Sequence, residues 1–434
     1  MGTVIEVLIE SVDHEARGIA RHDNKVIFVD NALPQETVGV EIKRRKPSFE
    51  TGVSTYINSP SSSRITPKCS YFGVCGGCSF QHINSRTQIA IKQRVLEDAL
   101  TRIGKVNPEQ MLSPICGPTF NYRSRARLSS RYVIKKEKAL VGFREKGKSY
   151  VVDMISCEVL PKHISVLLPA LKLLVESFSI RERVPQIEVA CGDAVDVLAF
   201  RILEDLAEDD LKALKQFGEK YDVVIFTQRG GPGTLIQIYP ELPVALTYSI
   251  PDMNLTFEFG LSEFTQVNTD VNSVLVRRAI SLLKLKPGER VADLFCGLGN
   301  FSLAIARSGA AVIGLEANQE LIDRASGNAT RNQLSDSCEF LVANLFIEGC
   351  PAYQALRAID KLLIDPPRDG AMELIKSIGT NGPKQIVYVS CNPATLARDA
   401  GILVHEHGYR LTSASIVNMF PNTSHVESIA SFEK

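Results

Sequence analysis

The chain has 434 residues, enough for about three domains at a typical ~150 residues each. Hydrophobic residues make up 44% and charged residues 23%, an ordinary globular composition that excludes a disordered, fibrous or collagen-like chain. Lys+Arg and Asp+Glu both number 49, so net charge is zero and any nucleic-acid surface must be local. No apolar run approaches the ~20 residues of a membrane span, and Met1-Gly-Thr-Val-Ile-Glu6 lacks the basic and apolar regions of a secretory signal. The expectation is a soluble cytoplasmic protein, in which ten cysteines do not form a disulfide framework.

Residues 1–57 read as short strands at 3–10, 25–29, 38–42 and 52–57, punctuated by Gly18, Asn24, Pro34 and Gly39. Such spacing predicts a small barrel. The stretch Glu15-Ala-Arg-Gly-Ile-Ala-Arg21, followed by Lys25-Val-Ile-Phe-Val29 and Ala32-Leu-Pro34, resembles a TRAM domain, a small RNA-binding β-barrel. Asn58-Ser-Pro-Ser-Ser-Ser-Arg64 is a linker by composition. Cys69, Cys75 and Cys78 then fall within ten residues, which in a reducing compartment points to metal. A helix is expected over 81–103, with Ile89, Val95, Leu96, Ala99, Leu100 and Ile103 on one face and Arg86, Lys92, Gln93 and Arg94 elsewhere.

Residues 118–258 alternate in strand fashion around a helix expected at 164–178. Between 117 and 150 ten basic residues face only Glu137 and Glu145, with Tyr122, Tyr132 and Phe143 interleaved. A solvated hairpin face would carry such a run; the density favours contact with RNA phosphates, with Arg123 and Arg125 as candidates. From 259 onward strands and helices alternate, with strands at 290–295, 311–315, 360–365 and 385–390, predicting a doubly wound α/β domain.

The chemistry concentrates in this last part. Asp293-Leu-Phe-Cys-Gly-Leu-Gly-Asn-Phe301 sits where a strand turns into a helix, and Gly297 and Gly299 allow close approach of a ligand. Glu316 ends the next strand and can accept both ribose hydroxyls of an adenosine. These features fit NAD nearly as well as S-adenosylmethionine, but Ser302 stands where the dinucleotide fingerprint has its third glycine. The next strand ends in Asp365-Pro-Pro-Arg368, whose Asp and Arg suit a pyrimidine with an imide edge. The strand after it ends in Val389-Ser-Cys-Asn-Pro393. Uracil C5 is a poor nucleophile until a thiolate adds at C6, which makes Cys391 chemically apt beside a methyl donor. His425-Val-Glu427 supplies a carboxylate to remove the C5 proton afterwards.

Phe264-Thr-Gln-Val-Asn268, Asp293-Leu-Phe-Cys-Gly-Leu-Gly-Asn300, Asp365-Pro-Pro-Arg368, Ser390-Cys-Asn-Pro-Ala-Thr-Leu-Ala-Arg-Asp399 and Met419-Phe-Pro-Asn-Thr-Ser-His-Val-Glu427 resemble the RNA uracil-C5 methyltransferase family along nearly the whole chain. The resemblance implies Cys391 as nucleophile, Glu427 as proton acceptor, and S-adenosylmethionine contacts at Gln266, Phe295, Asn300, Glu316, Asn344 and Asp365. Phe264 joins Arg123 and Arg125 as an RNA contact. The barrel and the cysteines, which the transfer-RNA branch lacks, place the chain nearer the ribosomal branch, with 23S rRNA as partner. Its implied layout is a TRAM barrel over 1–57, an iron–sulfur segment and central α+β RNA-binding domain over 58–258, and a Rossmann-like methyltransferase domain over 259–434.

The cysteine triplet needs a fourth thiolate, from Cys116 or Cys157. The resemblance, through Asp153-Met-Ile-Ser-Cys-Glu-Val-Leu160, selects Cys157 and implies a 4Fe-4S cluster; zinc on the same ligands is the alternative. A radical S-adenosylmethionine enzyme also combines a TRAM barrel with a cluster, but with three and then two residues between cysteines rather than the five and two here. A non-catalytic RNA-binding assembly factor is the reading from a different class, against which Cys391, Asp365 and Glu427 are all present.

Overall fold

The computed structural model describes residues 4–350, 353 and 358–434, so the first three residues of the expected barrel lie outside that set. Strands β1 (Val4–Leu8), β2 (Ser11–Val12), β3 (Gly18–His22), β4 (Lys25–Asp30), β5 (Thr37–Arg45) and β6 (Phe49–Ser59) form one sheet in the order β1-β5-β6-β4-β3-β2. Period-two alternation puts Val7, Ile27, Val29, Val38 and Val40 in its own small core.

After the cysteine loop, α1 (Ser85–Ala99) starts on Asn84, whose side chain accepts from the Thr87 N–H, and ends in a π-turn over Leu100–Gly104. The short strand β7 (Gln110–Met111) follows. The central sheet comprises β8 (Arg125–Val133), β9 (Lys138–Gly142), β10 (Gln186–Cys191), β11 (Asp196–Arg201), β12 (Val224–Gln228) and β13 (Leu235–Tyr239), in the order β13-β12-β11-β10-β8-β9. The helix expected over 164–178 is two: α2 (Lys162–Ser165) and α3 (Leu168–Ser177). Pro169 explains the break, because its ring fits a first helical turn and not an interior one. Helix α4 (Glu208–Tyr221) precedes β12, and Leu171, Val175, Leu214 and Phe217 bury α3 and α4 in the central core. A hairpin, β14 (Leu246–Ile250) with β15 (Leu255–Phe259), leads into the last part.

There α5 (Thr269–Leu283), β16 (Arg290–Leu294), α6 (Ser302–Arg307), β17 (Ala311–Glu316), α7 (Gln319–Arg331), β18 (Cys338–Val342), β19 (Lys361–Ile364), α8 (Met372–Ile378), β20 (Gln385–Ser390), α9 (Pro393–His405), β21 (Arg410–Val417) and β22 (Glu427–Glu433) build an eight-stranded sheet, β18-β17-β16-β19-β20-β22-β21-β7. Strands β16 to β20 are parallel, and all but the edge strand β18 are largely buried on both faces, which is why they read as mostly apolar runs. Val291, Leu363 and Val387 point to one core; Ala292, Leu362 and Ile386 point to the other. Strand order reverses between β16 and β19, and the crevice outside their carboxyl ends is where such sheets take ligands.

One boundary differs from expectation. The sequence pattern groups 85–115 with the central part, but β7 pairs with β21, and Leu96 and Leu100 pack in the same core as Leu396, Ala397 and Ala400 of α9. The methyltransferase-like layer is thus built from two separated stretches, with the central sheet inserted between them. Lys92, expected off the apolar face, is 1% exposed, because α1 is covered on that side by the C-terminal turn. No helix among the described residues is long and apolar enough to cross a membrane.

Candidate active site

A cavity of about 520 Å³ opens at the switch point. The glycine loop supplies one wall. Phe295, Gly297 and Gly299 all take positive φ, so the backbone bends sharply after β16, and a Cβ at Gly297 would meet nothing within 4 Å. The Glu316 carboxylate accepts from the Gly297 N–H at 3.3 Å and from the Ala317 N–H at 2.7 Å, which fixes it at the rim. Phe295 and Phe346, with ring centroids 5.4 Å apart, form an aromatic wall.

The nucleophile candidate is set by an elbow. Strand β20 ends at Ser390, Asn392 caps α9 by accepting from the Ala394 N–H at 3.0 Å, and Pro393 holds the first helical position. Cys391 is left between strand and helix, facing the cavity. The Asn392 amide also donates to the Arg368 carbonyl at 3.1 Å, tying this elbow to the Asp365-Pro-Pro-Arg368 loop. Glu427, the first residue of β22, is 6% exposed, and its Oε2 has no hydrogen-bond partner. Gln266 likewise has an unpartnered buried Oε1. Two buried acceptors without donors, both on one cavity, call for a ligand.

The electrostatics select its charge. Among the described residues, Glu316, Asp365 and Glu427 line the cavity against one guanidinium, Arg368. Burial, then the negative charges of Glu427 and Asp293, push the Asp365 carboxyl up to about 8. Burial and the Glu427 and Asp365 carboxylates also raise the Cys391 thiol, with Arg368 opposing them. With Asp365 raised, the Glu316 and Glu427 carboxylates are the charges that would favour a cationic group over a pyrophosphate. Ser302, in the position of the dinucleotide glycine, donates to Asp293 beneath the loop.

Asp293 is fully buried, has an unpartnered Oδ1, and is pushed up to about 7 by burial. A carboxyl raised in the folded state contributes stability that is complete below its unfolded pKa and lost as pH rises through about 7. Asp293→Asn, neutral at every pH, should therefore gain on the wild type between pH 4 and 8, by up to ~4 kcal/mol. Paired urea denaturations across that range check this; a constant difference would refute it.

Two expected cofactor contacts stand apart from the cavity wall. The Asn300 amide is engaged elsewhere: its Oδ1 accepts from Tyr248 Oη at 2.9 Å and Asn272 Nδ2 at 3.0 Å, and its Nδ2 donates to Asn272. Asn344 is exposed and accepts from the Phe346 N–H at 3.1 Å, while its neighbours Leu345 and Phe346 line the cavity. Arg125 also differs from its expected role as a phosphate contact. Its guanidinium donates to the carbonyls of Leu261 and Glu263, holding the loop that carries Phe264 and Gln266. Arg123 is partly buried with an unpartnered Nε, and its guanidinium lies 6.0 Å from the Phe420 ring. Phe264 is 70% exposed at the mouth. Sequence reasoning singled out neither Phe346, which lies in no motif, nor Phe420, which sits inside the Met419–Glu427 motif but was given no role.

Cys69, Cys75, Cys78 and Cys157 line a second, smaller cavity of about 150 Å³. Cys116 is exposed elsewhere. Burial and neighbouring thiols push Cys78 up to about 12, and burial raises Cys75 and Cys157, so these sulfurs would rest as thiols without a cation between them.

A mainly parallel sheet with its strand order reversing beside a glycine loop, facing a crevice lined by Glu316, Asp365, Cys391 and Glu427, has the layout of a Rossmann-like methyltransferase. The chain belongs to the tRNA (uracil-5-)-methyltransferase family, whose model matches residues 84–434; a TRAM domain model matches residues 1–53. A Nitrosospira multiformis protein named 23S rRNA (uracil(1939)-C(5))-methyltransferase RlmD is 53% identical, covering 99% of this chain and 98% of its own. The Chromobacterium violaceum protein of that name is 51% identical, over 98% and 84%. Among solved structures, Pyrococcus abyssi tRNA (uracil-54, C5)-methyltransferase in complex with S-adenosyl-L-homocysteine superposes with a TM-score of 0.74 at 24% identity, over 99% of this chain and all of its own. Coverage so complete by a transfer-RNA enzyme corrects one expectation: the N-terminal barrel does not by itself separate the ribosomal from the transfer-RNA branch.

Proposed function

We propose that the protein methylates C5 of a uracil in 23S rRNA, uracil 1939, using S-adenosylmethionine and a covalent adduct through Cys391. The observation that carries this reading is the shared cavity: Cys391, the unpartnered Glu427 Oε2, the unpartnered Gln266 Oε1 and the open glycine loop all face it. The near full-length relatives named for uracil 1939 favour that target. Methyl transfer from labelled cofactor, with 5-methyluridine mapped in rRNA with and without the gene, tests it. Methyl at another 23S uracil or in tRNA would change the target; no transfer would favour a non-catalytic assembly factor.

Gln266, Phe295, Glu316 and Asp365 would hold the cofactor, with Gly297 leaving room for it. The cofactor supplies an electrophilic methyl on a cationic sulfur. The uracil must leave its stack to enter the cavity, and exposed Phe264 is placed to cover it. Cys391, as thiolate, adds to C6 and pushes the ring electrons to C4–C5. C5, made nucleophilic in this way, would accept the methyl group that the bound cofactor supplies. Glu427 Oε2 then removes the C5 proton, and the electron pair left at C5 expels the thiolate from C6 and restores the double bond.

The four cysteines at the smaller cavity would hold a 4Fe-4S cluster. No three of their sulfurs lie within 4.8 Å of one another, whereas the ligand atoms of His163, Cys191 and Asp196 do. A tetrahedral zinc at ~2.3 Å would draw its thiolates to ~3.8 Å of one another, so a single ion would require these sulfurs to close up. The Gly77 N–H donates to Cys75 Sγ at 3.4 Å, the kind of bond that stabilises cluster thiolates.

The barrel and the basic hairpin would hold RNA. Arg131, Lys135 and Lys136 are exposed around the turn from β8 to β9, unlike Arg125. Replacing these three by alanine should weaken RNA binding. The salt slope of log K should fall by roughly 0.7 for each single-strand phosphate no longer neutralised, with cofactor affinity unchanged. An unaltered salt slope would count against the assignment.

A further inference from the structure

The turn between β21 and β22 delivers Phe420, His425 and Glu427 to the cavity, yet few of its polar groups bond within the turn. Lys92 Nζ donates to Asn418 Oδ1 at 2.8 Å and to the Phe420 carbonyl at 2.9 Å. Gln88, four positions earlier on α1, accepts from the Asn422 N–H at 2.9 Å and donates to Asn422 Oδ1 at 3.2 Å. The N–H groups of Ser79 and Phe80 donate to the Asn422 carbonyl, both at 2.9 Å, and Tyr122 Oη donates to the Pro421 carbonyl at 2.9 Å. Asn418 follows Val417, which sits directly opposite Glu427 in the β21–β22 pair. A grip on Asn418 and Phe420 is therefore a grip on the strand position facing the carboxylate.

We infer that Lys92 is a positioning residue for Glu427, its ammonium pinning both Asn418 and Phe420 so that the carboxylate stands where the C5 proton must leave. This rests on the role proposed above for Glu427. A lysine 1% exposed is costly, and a methionine would fill the same space without desolvating a charge. What methionine could not do is bond the Asn418 amide and the Phe420 carbonyl together. Burial pulls the ammonium down to about 7, and the Glu427 carboxylate is the first of the charges drawing it back up, which places the two groups in each other's field. The contact between the Phe420 and His425 rings, at 4.7 Å, passes the same restraint along the turn, and His425 Nε2 lies 3.8 Å from Glu427 Oε1.

The test uses full-length protein, a 23S rRNA fragment and methyl-labelled S-adenosylmethionine, with Glu427→Gln as reference. Lys92→Met should lower turnover on the order of 100-fold, the cost of a catalytic group misplaced by about 1 Å. The stall should come after methyl transfer, so labelled protein–RNA adduct accumulates as in Glu427→Gln, with cofactor affinity within about twofold of wild type. Asn418→Ala removes one of the two acceptors without removing the lysine, and should shift the adduct in the same direction by a smaller factor. Should Lys92→Met fail to fold, Asn418→Ala decides by the same criterion. Wild-type turnover, or lost turnover without adduct while Glu427→Gln accumulates it, overturns the inference. If Glu427→Gln itself accumulates none, the role of Glu427 falls and the inference with it.

Discussion

Glu427→Gln should leave the enzyme bonded to its product. The amide keeps the size and hydrogen bonding of the carboxylate but cannot take a proton, so addition and methyl transfer proceed and elimination stalls. Turnover should fall by roughly 10³-fold, within the range expected for loss of a general base. A protein–RNA species carrying the methyl label should survive denaturing electrophoresis. Cys391→Ala should lower methylation by roughly 10⁴-fold or more and yield no adduct at all. Adduct from Cys391→Ala, or normal turnover by Glu427→Gln, would show the roles to be wrong. The burial and carboxylate charge that raise the Cys391 thiol carry a related consequence. A cationic ligand in the same cavity opposes that shift, so alkylation of Cys391 by a small thiol reagent at fixed pH should gain thiolate fraction when a non-reactive sulfonium analogue is bound, provided the reagent still has access.

The second large effect concerns the smaller cavity. Protein purified without oxygen should be brown, with broad visible charge-transfer absorbance, and should contain iron and acid-labile sulfide. Cys157→Ser should bleach it and destabilise the central part by several kcal/mol, as loss of a structural metal site does. Cys116→Ser should leave colour and iron unchanged, because Cys116 lies apart from the other four. A colourless wild type with one bound zinc would replace the cluster with a single ion. Bleaching by Cys116→Ser, but not by Cys157→Ser, would reverse the choice of fourth ligand.

Where the sequence could be read and where it could not follows from the range of the interactions. Strands β16 and β20 are buried on both faces, so Val291-Ala-Asp-Leu294 and Gln385-Ile-Val-Tyr-Val-Ser390 announce themselves locally. The Cys391 elbow is also local, since Asn392 and Pro393 carry the cap that exposes it. Asn300 is legible as part of a motif, but not as a side chain turned away from the cavity, because Asn272 and Tyr248 decide that from other elements. Arg125 belongs to a basic run by composition and to the Leu261 and Glu263 carbonyls by geometry, at separations of 136 and 138 residues. Lys92 is the extreme case. Its partners are 326 and 328 residues away, and nothing in a helical pattern distinguishes a lysine that meets water from one that meets Asn418.

The weaving of residues 85–115 into the C-terminal sheet sets an order of events during synthesis. Helix α1 leaves the ribosome with Leu96 and Leu100 bare, and their neighbours on α9 and β21 are about 300 residues behind. At roughly 5–20 residues per second, that wait is on the order of 15–60 s. The inserted central domain can fold during this interval, since its core draws on residues that are already out. The methyltransferase layer cannot close until β21, which pairs with β7, is followed by β22, which joins β21 to β20. A nascent chain paused before that point holds a folded N-terminal half and an unpaired amphipathic helix, a form that invites chaperones. Cutting the gene at the boundary its residue patterns mark, near 259, would give a C-terminal fragment missing an edge strand and the helix that covers α9, and such a fragment should aggregate.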